Sequence, residues 1–167
     1  FAGPSYVERD ADRALRDAIA AGQRYPYIVA PRQSGKSSLL LRTRTTLAGR
    51  YCCASVDLSL ADKRGYEALW ADALAMISES ARLDPRPGDA ARPMRAFRAW
   101  LEATPERLVV FLDETDAMLP ASFCEQFFSF VRGLYNRRSE EPAFSRLTFV
   151  LAGAALPNQL IRSPSTS

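Results

Sequence analysis

Apolar positions along the chain change period repeatedly, and each change predicts an element. Ala11, Ala14, Leu15, Ala18 and Ile19 recur at helical spacing over about residues 8 to 21, with Ala21-Gly22 as the stop. YPYIVAP is a short apolar run closed by proline and predicts a buried strand from Tyr25 to Ala30. From Lys36 the segment KSSLLLRTRTTLAG turns to good helix formers, ending at Gly49, and YCCASVDLS predicts a second strand. Tyr66, Leu69, Trp70, Ala73, Leu74 and Ile77 mark one face of a helix from Arg64 to Ala81. The proline-rich LDPRPGDAARP that follows predicts a flexible loop over 83–93, and Met94, Phe97, Trp100 and Leu101 a short helix beyond it. LVVFL, residues 108–112, is continuously apolar, as expected of a parallel strand covered on both faces. A helix with Cys124, Phe127, Phe128, Val131 and Tyr135 inward, a polar loop NRRSEEPAFS and a fourth strand LTFVLAG complete the pattern. Strands alternating with helices predict an α/β fold, a doubly wound and mostly parallel sheet with helices on both faces.

The composition fits one domain over residues 1–167, with 47% hydrophobic and 25% charged residues. Without histidine, and with only Cys52, Cys53 and Cys124, the chain lacks the means for an ordinary zinc site, a Ser-His-Asp triad or a disulfide framework. No apolar run approaches the roughly 18 residues of a membrane span, and FAGPSYVERD has no signal-peptide pattern, so the expectation is a cytoplasmic protein with no membrane partner. The net charge of +3 comes from mostly interleaved charges, a weak pointer to nucleic acid. Among 22 basic residues only Lys36 and Lys63 are lysine, and lysine is the residue for a compact point charge.

Lys36 lies in Ala30-Pro31-Arg32-Gln33-Ser34-Gly35-Lys36-Ser37, which matches G-x-x-x-x-G-K-[ST] except for alanine in place of the first glycine. Pro31 biases Ala30 toward an extended conformation, which alanine tolerates. Gly35 lets the backbone close on phosphates, while the turn from Pro31 through Arg32, Gln33 and Ser34, and the helix start at Ser37 and Ser38, present N–H groups to an anion. Lys36 would reach the β- and γ-phosphates of ATP or ADP, and the Ser37 hydroxyl would ligate Mg2+. Asp113 and Glu114 follow LVVFL directly, at the carboxyl end of a strand, where open α/β sheets bind ligands. Asp113 would hold magnesium, directly or through water, and Glu114 would orient or deprotonate the attacking water.

Together these motifs resemble the P-loop ATPases of the AAA-like and STAND (signal-transduction ATPase) group. YVERDADRAL, RQSGKSSL, the VDL strand, FLDETD, FFSFVRGLYNRR and RLTFVLAGAALPNQLI look like the bacterial AAA-like domain often joined to repeat or effector domains. The resemblance implies an ATPase serving as a slowly hydrolysing switch in a larger signalling or defence protein, with nucleotide state coupled to self-association. It implies base contacts from Tyr6, Val7 and Arg9, and a trans-acting arginine at Arg137 or Arg138. It also implies a polar sensor on the fourth strand, where this chain reads Gly153-Ala154-Ala155. Related sheets run 5-1-4-3-2, so the expectation is a core whose fifth strand and helical lid lie outside these residues. Two other functions compete. One is a nucleic-acid-handling ATPase, a loader or transposition helper, using Arg92, Arg95 and Arg98 as a basic ridge; the other is a nucleotide-binding scaffold without hydrolysis.

Overall fold

The run at residues 108–112 forms β3 (Leu108–Asp113), and it lies between two strands that are also parallel to it. The computed structural model describes residues 10–22, 26–29 and 36–153. Its other strands are β1 (Tyr27–Val29), β2 (Cys52–Asp57) and β4 (Leu147–Gly153), in the order β1-β4-β3-β2 and all parallel. That is the 1-4-3-2 portion of the expected order. Parallel neighbours need long crossovers, and helices supply them: α2 (Lys36–Leu47) joins β1 to β2, α3 (Tyr66–Ala81) and α4 (Pro93–Ala103) join β2 to β3, and α5 (Cys124–Asn136) joins β3 to β4, with α1 (Asp10–Ala20) ahead of β1.

Strand residues divide between the two faces by simple alternation. Ala54, Val56, Leu108, Val110, Leu112, Phe149 and Leu151 pack with α3, α4 and α5, whereas Val109, Phe111, Val150 and Ala152 pack with Leu15 and Ile19 of α1 and Leu40 and Leu47 of α2. The sheet is therefore doubly wound, and β3 up to Asp113 and β4 apart from the buried Thr148 are apolar because neither has a wet face. Trp70 is the hub of the thicker side. Its ring lies 5.0 Å from Phe127, 5.2 Å from Phe130 and 6.1 Å from Phe97, and Phe97 in turn meets Phe149 at 5.7 Å, which ties α3, α4, α5 and β4 together.

Several elements differ in detail from expectation. Leu134, not Tyr135, is the fully buried residue of the last turn of α5; Tyr135 is half-exposed, with the Arg138 guanidinium 3.8 Å above its ring. The polar segment after α5 forms two 3-10 turns, Arg137–Ser139 and Pro142–Arg146, and buries Phe144. Arg146 donates to the carbonyls of Leu101 and Thr104, satisfying the C-terminal end of α4. Within 83–93 the chain makes a 3-10 turn, Pro87–Asp89, where Arg86 pairs with Asp89 at 2.7 Å, and Trp100 Nε1 donates to the Asp84 carbonyl at 2.9 Å. β2 is also bonded to α3: the Ser55 N–H donates to Ser80 Oγ at 2.8 Å.

Glu141 joins the second 3-10 turn to the helices. It accepts from Arg98 Nε and Nη2 at 2.9 and 2.8 Å and from Arg137 Nε at 2.8 Å, and these guanidiniums, Arg98 first, lower its carboxyl to about 2. A depressed carboxyl stabilises the fold above its unfolded value and loses that effect as pH falls through its folded value. We expect the thermal midpoint of wild type to exceed that of Glu141→Gln at neutral pH, and the gap to shrink below about pH 4 and close near pH 2. Paired melting curves across that range check it.

Candidate nucleotide site at the carboxyl edge of the sheet

Because every strand runs the same way, all four carboxyl ends lie along one edge of the sheet. β1 leads from there into α2, whose first two residues are Lys36 and Ser37. The N-terminus of α2 therefore opens at this edge, with its unpaired N–H groups and positive dipole end. Leu40, Thr43 and Leu47 are buried beneath the helix and hold it to the sheet, and Ser38 is half-buried in its first turn. The expected phosphate turn, Pro31, Arg32, Gln33, Ser34 and Gly35, lies outside the described residues, as do Tyr6, Val7, Arg9 and the side chains of Lys36 and Ser37.

Asp113 is the last residue of β3, paired in register with Asp57 at the end of β2. Asp57 closes its own turn: its Oδ1 accepts from the Ser59 N–H at 2.9 Å and from the Ser59 hydroxyl. Asp113 is arranged differently, its Oδ1 accepting the N–H of Glu114 at 2.8 Å. Glu114 has φ 57° and ψ 45°, the left-handed region, which costs an L-residue about 1–2 kcal/mol. Arg82 is the other described non-glycine residue with positive φ, and it ends α3, where such a conformation is common. Glu114 ends no α-helix. It is a local departure at the tip of a central strand.

The ladder shows what this departure replaces. Leu58 N–H donates to the Asp113 carbonyl and Leu151 N–H to the Pro26 carbonyl, so in β3 the odd residues bond toward β2 and in β4 the even residues bond toward β3. The next β3–β4 rung would run from the Glu114 N–H to the Ala152 carbonyl. That N–H has turned to Asp113, and the Thr115 hydroxyl donates to the Ala152 carbonyl instead, at 3.2 Å. Thr115 is fully buried and begins the 3-10 turn Thr115–Met118. A Cβ placed on Gly153 would collide with Thr115 Oγ1 and lie 3.0 Å from Asp116 Oδ1 and 3.2 Å from Thr115 N. No side chain fits at 153 while Thr115 stays where it is, which accounts for glycine at the position where a polar sensor was expected. Sequence reasoning missed Thr115; the threonine directly after the acidic pair and the glycine at the strand end were the available signals.

Arg137 and Arg138 sit at the other end of α5, beside the beginnings of the strands. A 13-residue helix, about 20 Å long, separates that end from the carboxyl edge. Arg137 pairs with Glu141 at 2.8 Å and lies 3.7 Å from Glu140; Arg138 stacks on Tyr135 and donates to its carbonyl. Of the expected basic ridge, Arg98 is held by Glu141 while Arg92 and Arg95 are exposed. No helix among the described residues is long and apolar enough to cross a membrane.

No protein-family model matches the chain. An uncharacterised WD repeat-containing protein of Synechocystis sp. is 30% identical over 175 aligned positions, which take in 95% of this chain and 15% of that relative. Among solved structures, the chain is similar to the Aeropyrum pernix ORC2 protein in its ADPNP–ADP complexes, with TM-score 0.67, 19% identity, and coverage of 92% of this chain and 43% of that one. Drosophila ORC bound to poly(dA/dT) DNA and Cdc6 matches at TM-score 0.54 and 11% identity, over 87% of this chain and 24% of that one. The fold is thus an α/β fold similar to the one found in these ORC proteins. The chain spans under half the length of each of these proteins.

The left-handed Glu114 gives a direct check on the site's backbone. Glu114→Gly removes the conformational cost and Glu114→Ala retains it, so the glycine variant should be the more stable of the two by about 1 kcal/mol. Chemical denaturation of the two variants measures the difference.

Proposed function

We propose that this domain binds Mg-ATP and hydrolyses it slowly, as a nucleotide-controlled switch. The observation that carries the reading is the Asp113-Glu114 pair at the tip of a buried central strand, on the sheet edge where α2 begins with Lys36 and Ser37. The phosphate turn from Pro31 to Gly35, with Ser37 and Ser38 at the helix start, would cradle the phosphates, and Lys36 would neutralise charge on the β- and γ-phosphates. The donor set suits Mg2+: a hydroxyl from Ser37 and a carboxylate from Asp113, both hard oxygen ligands, with the carboxylate's orientation held by the Glu114 N–H. Held by Ser37 and Asp113, Mg2+ would supply positive charge to offset that of the phosphates. Glu114 would accept a proton from, or orient, the water that attacks the γ-phosphate. Tyr6, Val7 and Arg9 are proposed base contacts. The description of the similar Aeropyrum protein in complexes with ADPNP and ADP supports the adenine nucleotide as ligand.

Within this reading the domain belongs to the STAND group, as part of a larger bacterial signalling or defence protein. The similar Synechocystis protein, a far longer WD repeat-containing chain, supports that setting. Oligomers would form through the ATPase modules, with Arg137 or Arg138 acting on a neighbour's nucleotide, since one chain keeps these arginines at the end of the sheet remote from its own site. The nucleic-acid-handling alternative draws support from the likeness to Drosophila ORC bound to DNA, and rests here on Arg92 and Arg95, because Arg98 serves Glu141.

Two variants of the full chain test the reading. Lys36→Ala should lose measurable ATP binding by calorimetry while keeping its fold by circular dichroism. Glu114→Gln should retain ATP with turnover reduced by about a hundredfold or more, because the amide keeps the shape and removes the base. Unchanged affinity in Lys36→Ala would refute the site, and equal turnover in wild type and Glu114→Gln would refute the role of Glu114.

A further inference from the structure

We infer that Thr115 is the positioning residue for Glu114, and that Gly153 is glycine so that the Thr115 hydroxyl can reach the Ala152 carbonyl. The inference rests on the hydrolytic reading of the site and adds what fixes its carboxylate. The observations come from both sides of the contact. On the β3 side, Glu114 leaves the ladder in a left-handed conformation, and its N–H is taken by Asp113 Oδ1. That turn would leave the Ala152 carbonyl without the rung that the register assigns it, inside a region where an unmet acceptor is costly. Thr115 Oγ1 fills the gap at 3.2 Å, from a side chain with no exposed surface.

On the β4 side, Gly153 leaves open the space that this hydroxyl occupies. The Thr115 hydroxyl is thereby held against β4, and the backbone of Glu114, one residue earlier, is flanked by its own bond to Asp113 and by the bond from Thr115 to Ala152. A base that activates water loses efficiency steeply when displaced by an ångström, so this lock acts on the chemical step. Thr115 is fully buried, so its effect is assigned to the position of Glu114.

Steady-state ATP hydrolysis by the full chain, together with the affinity for a fluorescent ADP analogue, tests this. Thr115→Val keeps the shape and removes the hydroxyl, and should lower kcat about tenfold or more with KM and ADP affinity within about twofold of wild type. Thr115→Ser restores the hydroxyl and should recover kcat to within about threefold. Gly153→Ala, whose methyl displaces the hydroxyl, should reproduce the loss, and should add less in a Thr115→Ala background, where only the close contacts with Asp116 Oδ1 and Thr115 N remain. Wild-type kcat in Thr115→Val, or equal losses in the serine and valine variants, would overturn the inference and leave the hydrolytic reading standing. A wild-type chain with no turnover that Glu114→Gln removes would overturn the hydrolytic reading first, and this inference with it.

Discussion

Parallel pairing of β3 with its neighbours is the constraint from which the rest of the architecture follows. Strands that run the same way are joined only by crossovers that return the chain to the starting edge, and the crossovers here are helices lying on both faces of the sheet. Covered on both sides, β3 and β4 bury every position before Asp113, and Thr148 is the one polar residue within them ahead of the strand ends. Polar chemistry is pushed to the strand tips. All the tips point one way, so the pairing of the strands brings Asp57, Asp113 and Gly153 to the same edge as the start of α2.

This is also why so much could be read in the sequence. LVVFLDE states its burial in five apolar residues and its chemistry in the two that follow, and helix faces such as Leu69, Trp70, Ala73 and Leu74 declare themselves by spacing alone. The placement of Asp113 and Glu114 at a strand tip followed from those signals, whereas the order of the four strands was implied by the resemblance to the AAA-like group. What escaped was set by contacts between distant segments. Thr115 reads as an ordinary turn residue until β4 is laid beside β3; only then do its hydroxyl and Gly153 meet. The exchange of Leu134 for Tyr135 on the inner face of α5 is a shift of one residue, within the uncertainty of a 3.6-residue period, and is settled by the core that Leu134 joins rather than by local pattern.

Charge plays a different part at the two ends of the sheet. At the beginnings of the strands arginines serve the scaffold: Arg98 and Arg137 share Glu141, and Arg146 holds the last carbonyls of α4. Arg107 likewise donates to the Ile19 carbonyl of α1, joining that helix to the strand after it. At the carboxyl edge the described acidic residues are organised by backbone N–H groups, as at Asp57 with Ser59 and Asp113 with Glu114.

The bond between Ser80 and Ser55 has a consequence for how the domain meets other chains. β2 is an outer strand, and its odd residues turn their backbone groups away from β3. An incoming strand would need the N–H and carbonyl of Ser55 at the middle of that row. Ser80 Oγ takes the N–H at 2.8 Å and lies 3.4 Å from the carbonyl, while its own proton has a second acceptor in Met76 at 2.7 Å. One hydroxyl from a neighbouring helix thereby imitates the partner that a foreign strand would offer, and an intruder would have to displace it before gaining its first bond. Sheet-to-sheet aggregation through this margin is blocked at its centre, so stacking of copies edge against edge is left without a foothold on the β2 flank.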